Sequence, residues 1–190
     1  MMLSRRGLIV AGLLGLPAVA ARAQTYDRES GPLDDFLTIF REPGIPRRIV
    51  SCSHRQFGPG EIVISTKFRR LYFVLGDGRA IEYGVGVGRR GFAWSGVKQV
   101  SRKREWPDWT PPADMLRRRP DLPRHMEGGV ENPLGARALY LGSSLYRIHG
   151  SNEPDTIGAA VSSGCIRMTN RDVIDLYDRV RVGTRVTVLN

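Results

Sequence analysis

The sequence predicts a mainly β domain, built as a sandwich or from mixed sheets, with one late amphipathic helix and a long proline-rich loop. Three observations predict this class. Runs of β-branched and aromatic residues follow one another from residue 61, five prolines fall between residues 107 and 123, and the clearest helical periodicity comes after residue 168. Short runs separated by turn residues are typical of β-rich domains. A chain of 190 residues is long enough for one domain with a hydrophobic core.

The first β-rich region, "EIVISTKFRRLYFVLGDGRAIEYGVGVG", is predicted to form a meander of two or three strands. Asp77 and Gly78 separate two of its runs and predict a tight hairpin, because glycine accepts the positive φ that the turn requires. Gly84, Gly86 and Gly88 weaken the last run and indicate a bulge or a close backbone approach. These glycines do not predict a dinucleotide-binding loop, because no helical pattern follows them.

The middle of the chain, "REWPDWTPPADMLRRRPDLPRHMEGG", is predicted to be a long ordered loop with one short helix over "PADMLRRR". Proline removes backbone donors and is excluded from central strands. Loops of this length in a compact domain are usually lids or binding elements. Trp106 and Trp109 either stack on a substrate or anchor the loop to the core, and anchoring is the commoner role of a buried aromatic ring.

The last third of the chain is predicted to hold a strand pair, a helix and a final strand. "RALYLG" and "LYRIHG" are separated by a turn at residues 142–144, which puts His149 at a strand end. The helix covers "TNRDVIDLYDRV", with Thr169 as its cap, Asp172 returning the capping bond and Gly183 after its end. "TRVTVLN" supplies the final strand.

The first residues are typical of an export signal. Residues 1–23 combine a basic start, an apolar run and small residues at the predicted cleavage site. The apolar run is shorter than the roughly 20 residues of a membrane span, so no stable span is expected after processing. Arg5 and Arg6 permit twin-arginine export as well as the Sec route. We expect residues 24–59 to form an N-terminal arm, residues 60–189 the main domain, and the periplasm or cell envelope to be the destination.

The charge of the chain favours anionic partners. Its formal charge is +10, and removal of residues 1–23 lowers this to +7 because three arginines are lost. Such a surface attracts nucleic acid, acidic lipid or cell-wall polymer. Export makes nucleic acid the least favoured of these, so no nucleic-acid partner is expected.

Cys165 is a candidate nucleophile, and His149, sixteen positions earlier, is its candidate base. A thiol attacks acyl groups as thiolate, and its usual pKa of roughly 8.5 requires a nearby histidine, cation or helix end. The amides of Gly164 and Cys165 are candidates for binding a developing oxyanion. Arg167 adds positive charge for a thiolate or a substrate carboxylate, unless it is a plain surface arginine.

The alternative for Cys165 is a disulfide with Cys52, since two cysteines in an exported chain can pair. Cys52 also lies two positions from His54, and this spacing of a cysteine and a histidine occurs in metal sites. No other cysteine or histidine is close enough in sequence to complete a set of four ligands, so no metal is expected. His125 lies in the proline-rich loop and is expected to be exposed.

The stretch "IHGSNEPDTIGAAVSSGCIRMTNRDVIDLYDRV" strongly resembles the active-site signature of L,D-transpeptidases of the YkuD type, in which an HG histidine precedes a serine-x-glycine-cysteine motif. The resemblance continues through "WTPP", "NPLGARALYLG" and the strand meander, and covers roughly residues 60 to 189. It implies the L,D-transpeptidase catalytic-domain fold over residues 60–189.

The resemblance also implies roles for the matching residues. Cys165 is the nucleophile and His149 the general base. Orienting or oxyanion roles fall to Gly150, whose carbonyl holds the imidazole, and to Ser163 and Gly164. Substrate contacts fall to Ser162, Arg167 and Trp109. Ser163 stands where many members carry a second histidine, and we expect activity to survive this departure.

The substrate that the resemblance implies is a peptidoglycan stem peptide, cut between the L-centre of its diamino acid and the terminal D-alanine. D-alanine leaves, a thioester forms on the cysteine, and an amine from a second stem peptide or a wall-anchored protein resolves it without a cofactor. Carbapenem-type inhibitors are expected to acylate the same cysteine. Two alternatives stay open: a carboxypeptidase or hydrolase that uses water, and a non-catalytic wall-binding module held by a Cys52–Cys165 disulfide.

Overall fold

The computed structural model describes residues 45–52 and 56–190. The predicted signal segment, most of the predicted N-terminal arm and His54 lie outside the described residues. None of the helices in the described part is long and apolar enough to cross a membrane.

Within residues 45–52 and 56–190 the structure contains eleven strands, two α-helices and one 3₁₀ turn. The strands are β1 (Arg48–Ser51), β2 (Ile62–Ser65), β3 (Arg70–Gly76), β4 (Arg79–Gly84), β5 (Val87–Gly88), β6 (Gly96–Glu105), β7 (Arg137–Leu141), β8 (Arg147–His149), β9 (Ala160–Ser162), β10 (Ile166–Arg167) and β11 (Arg185–Leu189). The helices are α1 (Ala113–Arg118) and α2 (Asn170–Arg179), and the 3₁₀ turn covers Pro154–Thr156. The prediction of a mainly β, mixed-sheet domain with one late amphipathic helix is confirmed.

Nine of the described strands form one mixed sheet in the order β1-β4-β3-β2-β11-β6-β7-β8-β10. The last strand of the chain, β11, is therefore central, parallel to β2 and antiparallel to β6. A second, two-stranded sheet pairs β5 with β9. A backbone bridge between Gly86 and Arg167 joins the chain that leaves β4 to β10, the last strand of the large sheet.

The predicted hairpin at Asp77 and Gly78 joins β3 to β4. Asp77 has φ of 49° and Gly78 has φ of 74°, the pair of positive values that a two-residue turn between twisted strands requires. The predicted close backbone approach occurs at Gly86, whose amide and carbonyl both pair with Arg167 at 2.9 Å. The glycine-rich stretch continues through β5 to β6 without a helix, as its sequence predicted.

Helix α2 packs against β7 and β8 through a buried face that includes Val173 and Leu176. Its cap is the predicted one, because the Thr169 side chain accepts a hydrogen bond from the Asp172 amide at 3.1 Å. At its other end, Lys103 donates to the carbonyl oxygens of Tyr177 and Val180, both at 2.6 Å. A cation at this end satisfies carbonyl groups that have no partner within the helix.

Four of the described strands were not predicted: β1, β6, β9 and β10. β6, the longest, has the sequence "GVKQVSRKRE", and Val100 is its one fully buried residue, so it lacks an alternating hydrophobic signal. β1 lies within residues 24–59, which the sequence assigned to an arm. It instead forms an edge of the large sheet beside β4, where Arg48 pairs with the buried Glu82 at 2.7 Å.

The proline-rich loop contains the predicted short helix, α1, and folds back on itself. The backbones of Trp109 and Met126 exchange two hydrogen bonds of 2.8 Å, and the Trp106 amide donates to Ala136 at 2.8 Å. Trp106 and Trp109 are both half-buried. The loop forms one wall of a cleft of about 850 Å³, which Trp109 helps to line.

Candidate active site

The candidate site lies on one face of the parallel pair β8–β10. Ile166 is in register with Ile148, and Arg167 with His149. The position before β10, Cys165, therefore lies beside Arg147. Residues two apart on a strand share a face, so Arg147 and His149 on one side and Cys165 and Arg167 on the other form a two-by-two array. All four side chains line the cleft.

His149 is buried, and its imidazole is oriented by the backbone. Nδ1 lies 2.6 Å from the carbonyl oxygen of Gly150. A carbonyl oxygen only accepts hydrogen bonds, so Nδ1 carries the proton and Nε2 keeps its lone pair in the neutral ring. Burial, followed by the charge of Arg167, lowers the pKa of His149 to about 3. The imidazole is therefore a neutral proton acceptor at neutral pH.

Asn170, the first residue of α2, holds the Gly150 turn. Its Oδ1 accepts from the Ala136 amide at 2.8 Å, and its Nδ2 donates to the Ser151 carbonyl at 3.0 Å. A Cβ added to Gly150 would lie 2.2 Å from the same Oδ1, a distance that no side chain tolerates. Glycine is therefore required at the position whose carbonyl orients the imidazole.

The Cys165 thiol is partly enclosed and uncharged at rest. Its Sγ lies 3.6 Å from the Leu145 carbonyl oxygen, to which it donates. Burial raises the pKa of Cys165, while Arg147 and then Arg167 act in the opposite direction. In the described structure no hydrogen bond joins this thiol to the imidazole. A neutral thiol beside a neutral imidazole can become a thiolate by transferring its proton to Nε2, and catalytic hydrogen bonds often tighten only when substrate is bound.

Ser162 braces the turn that carries Cys165. Its hydroxyl donates to the Cys165 carbonyl at 2.6 Å and accepts from the Gly164 amide at 3.1 Å, and the residue is 4% exposed. The structure therefore gives Ser162 a bracing position. Its side chain also lines the cleft, so contact with a substrate stays a prediction. The same hydrogen bond occupies the Gly164 amide, which the sequence assigned to the oxyanion. The Cys165 amide donates to no protein acceptor within the described residues.

Two aromatic residues hold the outer side of this turn. The Trp94 Nε1 donates to the Gly164 carbonyl at 2.8 Å, and the Trp94 and Tyr146 rings stack at 4.6 Å. Gly164 has φ of 106°, and an added Cβ would lie 2.5 Å from Tyr146. Neither aromatic residue was predicted from the sequence to lie at the site. Trp94 follows the glycine-rich stretch in a polar segment. The only sequence signal that it packs against the protein is its own large apolar ring.

Arg167 is not a plain surface arginine. Its guanidinium pairs with Glu153 at 2.7 Å and reaches the Thr156 hydroxyl at 3.4 Å. Arg147, which the sequence analysis did not select, pairs with no acidic residue in the described part of the chain. The spacing of "RIH" and "CIR" could have identified it, because each motif puts an arginine two positions from a reactive residue on a strand.

A third arginine stands beside Ser163. The Arg89 Nη1 lies 3.3 Å from the Ser163 hydroxyl, so a guanidinium reaches the position where the resemblance implies a second histidine. The Phe92 ring lies 4.3 Å from the Arg89 guanidinium carbon and 5.4 Å from that of Arg118. Arg118 belongs to α1, so this cluster connects the proline-rich loop to the segment after β5.

Cys52 and Cys165 are not bonded to each other, and both are free thiols. Cys52 lines a separate cavity of about 410 Å³, and its amide donates to the Gly78 carbonyl at 2.6 Å. The disulfide alternative is therefore not favoured. Over residues 45–52 and 56–190, no group of three or more histidine, cysteine or acidic residues is arranged to hold a metal ion. His125 is exposed, with Nδ1 3.2 Å from the Thr110 hydroxyl.

Comparisons with known proteins agree with this geometry. The family model YkuD, described as the L,D-transpeptidase catalytic domain, matches residues 59–188. The Escherichia coli K12 protein named probable L,D-transpeptidase ErfK/SrfK is 40% identical over 138 residues, which are 68% of this chain and 44% of that protein. The chain thus spans less than half the length of this curated relative.

Two solved structures are also similar. One is the crystal structure of a Brucella melitensis protein described as a probable carnitine operon oxidoreductase, at 42% identity over 80% of this chain and 98% of that chain, with a TM-score of 0.52. The other is the NMR structure of the catalytic domain of an E. faecium L,D-transpeptidase acylated by ertapenem, at 19% identity over 70% of this chain and 98% of that chain, with a TM-score of 0.54. At this identity the second likeness shows the fold alone.

Proposed function

The chain belongs to the YkuD family of L,D-transpeptidase catalytic domains, and on that premise we propose that it is a cell-wall L,D-transpeptidase with Cys165 as nucleophile and His149 as general base. One observation carries the proposal. The thiol and a neutral imidazole, whose Nδ1 is held by Gly150, share one strand face at the floor of the same cleft. This is the arrangement that nucleophilic acyl transfer requires.

In the first half-reaction, Cys165 gives its proton to Nε2 of His149 while Sγ attacks the carbonyl carbon between the diamino acid and the terminal D-alanine. The C=O π electrons move to oxygen, and the Cys165 amide, which has no other acceptor in the described residues, donates to this oxyanion. When the tetrahedral intermediate collapses, the C–N bond breaks and the imidazolium returns the proton to the leaving amine. D-alanine departs and a thioester remains on Cys165.

In the second half-reaction, an amine of another stem peptide attacks the thioester carbonyl. His149 takes the proton from this amine and returns it to the sulfur, which leaves as a thiol when the C–S bond breaks. The products are a new amide and the free enzyme. A wall-anchored protein that offers an amine enters at the same step, and water in place of the amine gives hydrolysis.

The charges of the cleft support an anionic peptide as substrate. Five arginines line it against three acidic residues: Arg89, Arg118, Arg119, Arg147 and Arg167 against Asp114, Glu131 and Glu153. Stem peptides carry carboxylates, which guanidinium groups bind with charge-assisted hydrogen bonds. Trp109, on the loop wall of the cleft, offers an apolar surface for the peptide. This substrate lies outside the cytoplasm, which agrees with the signal-like residues 1–23 and with work in the periplasm or cell envelope.

The experiment is an assay of the purified chain with a disaccharide-tetrapeptide, in which D-alanine release and products are followed by mass spectrometry. We expect D-alanine, a cross-linked dimer, and an acyl adduct on Cys165 when ertapenem replaces the substrate. Cys165→Ala should show none of these, whereas Cys52→Ala should show all of them. A tripeptide without dimer would identify water as the acceptor, and an intact substrate with an unmodified thiol would refute the proposal.

A further inference from the structure

The two-by-two array contains a residue with no role in the mechanism above. We infer that Arg147 stabilises the Cys165 thiolate during attack and is therefore a further catalytic residue. The inference rests on the proposed function only in taking Cys165 as the nucleophile. It concerns an electrostatic interaction with the reacting sulfur atom, and this interaction is measurable without any acyl substrate.

The strand register brings Arg147 to Cys165. Since Ile148 pairs with Ile166, the residues one step earlier on the two parallel strands are neighbours. Both side chains line the cleft and so point to the same side. In this array Arg147 lies directly across from Cys165, and Arg167 lies directly across from His149.

The Leu145 carbonyl oxygen shows that the Cys165 thiol and the Arg147 guanidinium lie close together. It lies 3.6 Å from the Cys165 Sγ and 3.2 Å from the Arg147 Nη1, and it accepts from both. A guanidinium and a thiol that share one acceptor are close enough for strong interaction if the thiol ionises. Burial raises the pKa of Cys165, and the charge of Arg147 is the largest influence in the opposite direction.

The charge of Arg147 is available for this purpose. Its Nε is buried and has no hydrogen-bond partner, and no carboxylate pairs with it in residues 45–52 and 56–190. A buried polar group without a partner costs free energy, which a negative charge formed on the neighbouring sulfur would offset. The Tyr140 ring, 5.1 Å from the guanidinium carbon, holds the arginine from β7.

The other charged groups around Cys165 are less suited to this role. Arg167, on the same strand segment, pairs with Glu153 at 2.7 Å, which offsets part of its charge. Arg89 approaches from the segment after β5, but its contact is with the hydroxyl of Ser163. His149, on β8, is neutral before the reaction and takes the proton during it. Within the described structure, Arg147 is therefore the cation that shares an acceptor with the thiol and has no compensating acid.

The step balances without any additional reactant. The S–H proton goes to Nε2 of His149, the sulfur electron pair forms the C–S bond, and the carbonyl π pair becomes the oxyanion. Arg147 neither gains nor loses a proton. It lowers the free energy of the state in which the sulfur carries negative charge before the C–S bond is complete.

The test is the rate of Cys165 alkylation by iodoacetamide as a function of pH, measured in a Cys52→Ala background by intact mass. An opposite charge in contact lowers a pKa by about 1 to 3 units. Arg147→Gln should therefore raise the midpoint of the alkylation rate's pH profile by about one pH unit or more. Arg147→Lys should restore most of the wild-type midpoint. Arg102→Gln is the matched control, because Arg102 also stacks on Tyr140, at 4.0 Å, but does not line the cleft.

Equal midpoints in wild type and Arg147→Gln would overturn the inference, as would an equal shift in Arg102→Gln. If Arg147→Gln does not fold, Arg147→Met keeps an apolar stem over Tyr140 and gives the same comparison. A shifted midpoint in a protein that releases no D-alanine would refute the proposed function and leave this inference intact. Normal D-alanine release with an unshifted midpoint would refute this inference and leave the proposed function intact.

Discussion

Arg167 lies directly opposite His149 in the parallel pairing of β10 with β8. Burial, followed by the positive charge of Arg167, lowers the pKa of the imidazole to about 3, although the hydrogen bond from Nδ1 to Gly150 acts the other way. One arginine thus helps to keep the base unprotonated, and its own excess charge is limited by Glu153 at 2.7 Å. In the array Arg167 lies beside the base and Arg147 beside the thiol, and each arginine also acts on the pKa of the other group.

The depressed pKa of His149 predicts that acid destabilises the fold. Between pH of about 3 and 6.5 the unfolded chain binds a proton at this histidine and the folded chain does not, so stability falls as pH decreases through this window. From pH 7.5 to 4.5, this histidine alone should cost about 2 to 3 kcal/mol. Urea unfolding at both values should show a smaller loss for His149→Gln than for wild type. Equal losses would contradict the burial of a neutral imidazole.

The Gly150 turn predicts a substitution that lowers both stability and activity. In Gly150→Ala the new Cβ would meet Asn170 Oδ1 at 2.2 Å, so the turn must shift and the carbonyl that orients His149 moves with it. Overpacking of this kind costs about 1 to 3 kcal/mol, and we expect ertapenem acylation of Cys165 to slow by about tenfold or more. Gly129→Ala, where an added Cβ meets nothing within 4 Å, is the control and should acylate normally.

Much of the fold was predictable because local chemistry determines it. The Asp77–Gly78 turn has the positive φ values that its residues allow, and Thr169 caps α2 as its sequence predicted. β6 could not be recognised in the same way. Its stability comes from strands on both sides, β11 and β7, and its exposed positions carry charges, so the apolar period that reveals a strand is missing.

The site was predictable to the extent that it lies in one continuous stretch. Cys165, His149 and the Gly150 carbonyl are all found between residues 147 and 168. Trp94 and Arg89 were missed because they approach from a segment more than 50 residues earlier, which the pairing of β5 with β9 and the bridge between Gly86 and Arg167 bring close. The bracing role of Ser162 depends on where its hydroxyl points, and a sequence motif does not contain that information.

Ser162 provides a third prediction. Ser162→Ala removes two hydrogen bonds in the turn, to the Cys165 carbonyl at 2.6 Å and from the Gly164 amide at 3.1 Å. We expect a loss of about 1 to 3 kcal/mol in unfolding free energy, and the freed Gly164 amide should leave Cys165 less well positioned, so that acylation by ertapenem slows. Ser143→Ala, in the exposed turn before β8, is the matched control. If acylation by Ser162→Ala keeps the wild-type rate, the turn does not need this brace.

Arg89 provides the last prediction, which concerns substrate binding. Its guanidinium lies beside Ser163, at 3.3 Å from the hydroxyl, and stacks on Phe92, so it is held at the cleft with no acidic partner in the described residues. A hydrogen bond to a charged group contributes about 1.5 to 3 kcal/mol. Arg89→Gln should therefore raise KM for the tetrapeptide by about tenfold with little change in kcat, because Arg89 does not contact the sulfur or the imidazole.

Arg90→Gln removes the same charge from the next residue, which is exposed and outside the cleft, and should leave KM unchanged. Salt separates a local contact from general attraction, because ions screen exposed charges over about 8 to 10 Å. At high salt a long-range effect of Arg89 would disappear, whereas a direct contact with a substrate carboxylate would persist. Equal KM values for the two variants would show that the net charge of this face, and not the position of Arg89, attracts the substrate.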